Sequence, residues 1–118
     1  TRQGRPVEPL YDEADVRRTL QQVHVLPYDV ERELVPGVRV CLRDAGHILG
    51  SAIAELWLAE DGRTTKVVAS GDLGQPGRPI LRDPTPIDEA DVLLVESTYG
   101  NRDHKPLGPT LDELVATV

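Results

Sequence analysis

The chain has 118 residues, 13 of them basic and 20 acidic, for a net charge of −7. That balance has the wrong sign for a protein that holds nucleic acid by bulk charge, which presents a basic face to phosphates. A single cysteine, Cys41, excludes an internal disulfide and suits a reducing compartment, so a cytoplasmic location is expected, and no apolar run is long enough to cross a bilayer. The length suffices for one domain with a core. The first residue is Thr1 rather than Met, which predicts an internal piece of a longer protein.

Residues Thr1 to Pro9 are polar and carry Gly4, Pro6 and Pro9, the composition of a loop. Asp12 is expected to cap a helix, with Asp15 in its first turn at the positive end of the helix dipole. Val16, Leu20 and Val23 recur at helical spacing, Pro27 marks the end, and His24 falls in the last turn, where a capping or surface role is expected. Arg17 and Arg18 read as solvated helix charge rather than as contacts to a ligand. Val30 to Leu34 reads as an edge strand closed by Pro36-Gly37.

Val38 to Arg43 alternates as a strand, with Val38, Val40 and Leu42 on one face and Cys41 packing between its neighbours. Ala52 to Leu58 alternates again: Ala54, Leu56 and Leu58 share one side, and Ile53, Glu55 and Trp57 the other. Trp57 is expected to pack on the sheet face. Asp61-Gly62 is a hairpin signal. Gln75 to Asp88 holds four prolines and reads as a connecting loop; contact of its Arg78 and Arg82 with phosphates is not decided by the sequence. Asn101 to Pro109 is a second polar loop, with His104 expected at the surface. Thr110 and Glu113 have the spacing of a capping box ahead of Leu111, Leu114, Val115 and Val118, which predicts a short terminal helix.

Three strand ends carry the chemistry. The strand from Val38 runs into Asp44-Ala45-Gly46-His47-Ile48-Leu49-Gly50-Ser51-Ala52, which holds one imidazole between glycines. Lys66 to Gly71 is an apolar run ending at Asp72. Asp91 to Val95 is another, ending at Glu96. Continuous apolar runs suit strands buried on both faces, and sites in open α/β sheets gather beyond the carboxyl ends of strands. Imidazole and carboxylate together suit a cation such as zinc.

In order and spacing, the His47 segment, Ser70-Gly71-Asp72-Leu73-Gly74 and Glu96-Ser97-Thr98-Tyr99-Gly100 resemble the β-CASP branch of the metallo-β-lactamase superfamily, a branch of RNA-processing nucleases. The resemblance covers about Val38 to Asn101. It implies an α/β fold that is a portion of the αβ/βα four-layer sandwich. Residues 1–100 would be the later part of the metallo-β-lactamase-like domain and 101–118 the truncated start of the β-CASP region. It implies a hydrolase that cuts RNA phosphodiester bonds with two zinc ions. His47 matches the histidine that ligates one metal, and Asp72 the aspartate that bridges both. Glu96 matches the first β-CASP motif, an acidic residue that orients a histidine protonating the leaving oxygen. The catalytic roles thus fall to Asp72 and Glu96, and the metal ligands are His47 and Asp72.

The family's His-x-His-x-Asp-His motif is nowhere in the chain, and the resemblance places it before Thr1, with later histidine motifs after Val118. With two of the expected ligands, the chain by itself is expected to be inactive. Two other readings stay open. One is a small-molecule metallo-hydrolase of the same superfamily, against which Glu96-Ser97-Thr98-Tyr99-Gly100 speaks. The other is an inactive scaffold homologue, against which the joint presence of His47 and Asp72 speaks. RNA is the expected partner; substrate-binding residues and oligomeric state are not specified by sequence.

Overall fold

The structure is a computed structural model describing residues 9–103 and 105–117. Its centre is one five-stranded sheet: β1 (Arg32–Val35), β2 (Val38–Asp44), β3 (Ala52–Glu60), β4 (Arg63–Ala69) and β5 (Val92–Leu94), in that spatial order. The first four strands are antiparallel neighbours, and β5 joins β4 in parallel. With α1 (Glu13–Leu20) and α2 (Leu107–Thr117), this is a mixed α/β arrangement.

The β3–β4 hairpin turns at Asp61-Gly62, whose φ angles of 49° and 75° are both left-handed. That is the type I′ geometry the dipeptide favours, because its twist matches that of the strands. The hairpin pairs Glu60 with Arg63, so β4 starts three residues ahead of the apolar run from Lys66. Its first residues are exposed, held by the ladder rather than by burial.

One face of the sheet is covered by the connection between β4 and β5. Ala45, Ile53 and Val68 form its buried cluster, with Leu73 and Ile87 packed against them. Cys41 and Glu55, opposite each other on β2 and β3, lie on this face and are buried. Burial pushes the Cys41 thiol up, as expected for a packing cysteine. Glu55 is met by two cations: Arg43 Nε donates to Oε2 at 2.6 Å and Lys66 Nζ lies 2.8 Å from Oε1. Burial disfavours the charged form of Glu55, but the bonds from Lys66 and Arg43 outweigh it and hold the carboxyl below its ordinary range. Arg43 also pairs with Asp29 at 2.9 Å, and its guanidinium is stabilised in the charged form by Asp29 and Glu55. Trp57 lies half-buried between the Arg39 guanidinium and Lys66 Nζ, each 5.5 Å from its ring centroid, so it packs on the sheet as expected.

Three expectations are corrected. The first helix stops at Leu20 with Gln21 as C-cap, not at Pro27, so Val23 and His24 lie outside it and are exposed. Its start is as read: Asp12 accepts from the Asp15 N–H while Asp15 accepts from the Asp12 N–H, a reciprocal capping box. Neither helix packs on the sheet among the described residues, so the apolar spacing through Val23 has nothing to bury against. The second correction is at the other helix. It begins at Leu107, so Thr110 is inside it with Oγ1 donating to Pro106 O at 2.9 Å, and Glu113 takes Lys105 at 3.0 Å instead of closing a capping box. The third is β5. Its apolar run should be buried on both faces, yet Leu93 and Leu94 are 60% and 61% exposed. β5 ends the sheet, and no described element packs on it beyond β4. The radius of gyration, 20.1 Å, exceeds the roughly 13.5 Å of a compact domain of this length for the same reason: helices stand off and sheet surface is uncovered. His104 and Val118, named in the sequence reading, lie outside the described residues.

Candidate functional site

Because β2 and β4 each run antiparallel to β3, and β5 runs parallel to β4, all three point the same way. Their carboxyl ends therefore share one edge of the sheet. His47 follows β2, Asp72 follows β4 and Glu96 follows β5. All three line one cleft of about 440 Å³, together with Arg78, Thr98 and Tyr99 among others.

The His47 loop is held by side-chain and backbone bonds. Asp44 Oδ1 accepts from the Gly46 N–H at 2.9 Å, and Ser51 Oγ accepts from the N–H groups of His47 and Ile48 at 3.1 and 3.3 Å. Tyr28 anchors the far side of the loop, its hydroxyl donating to Ser51 O at 2.7 Å. These bonds spend the backbone groups locally and leave the imidazole exposed at the tip.

The loop carrying Asp72 is locked to the His47 loop. The Gly74 N–H donates to Ala45 O at 2.8 Å. A Cβ on Gly74 would stand 1.7 Å from Gly46 O and 2.7 Å from His47 N, so only glycine permits the crossing. Gly46 is constrained twice: its φ is +64°, and a Cβ there would stand 2.6 Å from Arg82 O. The two glycines thus set the separation of His47 from Asp72.

Glu96 ties the third strand end to the second. Its Oε1 accepts from the Leu73 N–H at 2.8 Å and its Oε2 from the Thr98 N–H at 3.3 Å. Its own N–H donates to Ser70 Oγ at 3.1 Å, and Ser70 N–H donates to Leu94 O at 2.9 Å. The Leu73 N–H, then Thr98, hold the Glu96 carboxyl below its ordinary range, with a smaller contribution from the charge of His47. Glu96 is therefore an anion at neutral pH in the same cleft as the imidazole and the Asp72 carboxylate.

His47 and Asp72 offer the imidazole and carboxylate donors of a borderline divalent cation. Among the described residues no group of three or more His, Cys, Asp or Glu side chains is gathered closely enough to hold an ion, so these two are a partial donor set. The sequence reading found the three strand-end residues but not the parts that set their spacing. Gly74 and Ser70 act through contacts distant in sequence, and Ser51 through the His47 and Ile48 N–H groups of its own loop. The one available signal was their position inside the same short segments, where a second glycine or a serine repeats. Arg78, left undecided by sequence, lies in the cleft wall.

No protein-family model matches the chain. Among curated proteins, an RNase J-like protein of Methanocaldococcus jannaschii is 38% identical over 104 residues, 86% of this chain. Ribonuclease TTHA0252 of Thermus thermophilus is 33% identical over 92% of the chain. The cleavage and polyadenylation specificity factor 73 of Drosophila melanogaster is 34% identical over 81% of it. The chain belongs to the β-CASP branch of the metallo-β-lactamase superfamily. It spans 24%, 24% and 14% of the length of these three relatives. In this β-CASP chain the three segments that carry the resemblance are therefore also the three that converge on one cleft.

Proposed function

We propose that the protein is a zinc-dependent β-CASP ribonuclease that hydrolyses RNA phosphodiester bonds in RNA processing or decay, acting in the cytoplasm. The observation that carries this reading is the convergence of His47, Asp72 and Glu96 on one cleft at the shared carboxyl edge of β2, β4 and β5. The names of the relatives, two of them ribonucleases or ribonuclease-like, supply the substrate class.

In this reading His47 and Asp72 would be among the residues that hold the zinc ions. When bound, the ions supply Lewis acidity toward a phosphate and acidify water. The protein's own groups do the rest. The Gly46–Gly74 crossing fixes imidazole and carboxylate before substrate arrives, so no rearrangement is needed at the reacting phosphate. Glu96 has taken two backbone N–H groups, and a carboxylate has about four lone-pair sites, so it keeps capacity for the N–H of a histidine that protonates the leaving oxygen. The four-layer sandwich belongs to the same proposal, with residues 1–100 in the lactamase-like domain and 101–118 opening the β-CASP region. Its support is the exposed apolar surface of β5, which such layers would cover.

The test is cleavage of a labelled single-stranded RNA by the full-length protein, before and after chelation and after returning zinc. Cleavage lost on chelation and restored by zinc is expected. The 118-residue chain assayed alone, with its two donors, is expected to show none. Cleavage that survives complete metal removal would overturn the reading.

A further inference from the structure

A polymer substrate needs more than a site for one phosphate, and the wall of the cleft opens toward a place for the neighbours. Arg78 lines the His47–Asp72–Glu96 cleft and two further hollows. Tyr99 lines the cleft and one of those hollows, where Arg102 and Lys105 join it. Arg78 is thus a lining residue common to all three spaces, and the wall they share runs as a trough along the segment after Glu96.

The charge along this trough is concentrated in two residues. Arg78 donates to the neutral side chain of Gln75 and enters no ion pair among the described residues. Arg102 likewise enters none, and lies on the Tyr99 ring, 4.6 Å from its centroid. Lys105 is different: Glu113 neutralises it at 3.0 Å. Asp103 on the same wall offsets part of the field and limits how tightly a polyanion is held. A chain with a net charge of −7 repels RNA over most of its surface, so two guanidiniums without an ion pair among the described residues localise where a strand can lie beside the cleft. A guanidinium already stacked on a tyrosine offers its other face to a base, which an unpaired strand can supply and a duplex cannot.

We propose that Arg78 and the Tyr99–Arg102 stack form an exit trough for single-stranded RNA: Arg78 holds a phosphate adjoining the one in the cleft, and Arg102 holds the next and stacks a base. This rests on the ribonuclease reading for the role of the cleft, but its test does not depend on cleavage. Binding of a short fluorescein-labelled single-stranded RNA to the full-length protein is measured by anisotropy over a range of salt, with divalent cations chelated so that the strand stays whole. Arg78→Ala and Arg102→Ala should each weaken binding several-fold and flatten the slope of log affinity against log salt by about 0.7, the loss of one single-strand phosphate contact. Arg102→Lys should keep the slope and lose affinity, because charge stays and the planar stacking face goes. Arg17→Ala with Arg18→Ala on α1 removes two charges that line none of the three spaces and should change neither. Unchanged slopes in both trough variants, equal losses in the α1 pair, or a wild-type protein that binds no RNA would each overturn the proposal. If RNA binds as expected but the metal-loaded protein cleaves nothing, the trough stands and the ribonuclease reading falls.

Discussion

Glu55 and Glu96 are both carboxylates held below their ordinary range, and they do different work. Glu55 is a buried anion between Arg43 and Lys66, so its removal takes the shared carboxylate from both and leaves Arg43 only Asp29. Glu55→Gln keeps the volume and should cost about 3 kcal/mol at neutral pH, toward the low end for a broken buried pair because Arg43 reaches solvent. The sign of its pH dependence follows from the lowered pKa. The unfolded chain binds the proton first, so the contribution is complete above about pH 4 and is lost as pH falls through the folded value. Urea melts at a series of pH values should show the gap between wild type and Glu55→Gln narrowing in acid; a gap constant from neutral pH to pH 3 would refute the ion-pair account. At Glu96 an amide can still accept one N–H but turns its own N–H toward the other. Glu96→Gln should lower the melting temperature modestly and cut single-turnover RNA cleavage roughly a hundredfold, the scale of losing a positioned acid–base partner. Wild-type turnover with only the thermal loss would leave Glu96 the structural tie between Leu73 and Thr98 and nothing more.

At the scale of the elements, the loops at the carboxyl edge are set by a backbone crossing with no room for a methyl group. Gly74→Ala places a Cβ at 1.7 Å from Gly46 O, against backbone that cannot swing away as a flexible side chain would. The expected outcome is a clear fall in melting temperature together with loss of metal binding, since His47 and Asp72 are forced apart. Gly108→Ala is the control: apart from its chain neighbours nothing lies within 4 Å of its Cβ, and it sits in the first turn of α2, so a small effect is expected. Equal, small effects of the two substitutions would show that the crossing does not position the site. Much of this edge was legible in the sequence. Alternation marked β2 and β3, Asp61-Gly62 marked their continuation into β4, and three segments ending in His47, Asp72 and Glu96 marked the edge itself. The crossing was not legible, because Gly46 and Gly74 meet only after the sheet brings their loops together. Thr110 and Val23 show the converse limit. Each fits a local pattern, but a helix end is settled by what lies beside it, and among the described residues neither helix is packed on the sheet.

At the scale of the whole molecule, the sheet has one face covered by the loop carrying Leu73 and Ile87, and an apolar end strand left open. The continuous apolar run from Val92 to Val95 predicts burial because such sequence reports the burial a strand is built for, not the neighbours it has. The site has the same character. The chain brings an imidazole and two carboxylates to one cleft, and in the proposed reading two of them would be metal donors. The central claim is that His47 and Asp72 are those donors in an RNA-cleaving centre. It is tested most directly by measuring bound zinc and RNA cleavage together in the full-length protein and in its His47→Ala and Asp72→Ala variants. Each variant is expected to lose bound zinc and cleavage while keeping the wild-type circular dichroism spectrum. Full zinc content with normal cleavage in either variant would contradict the account.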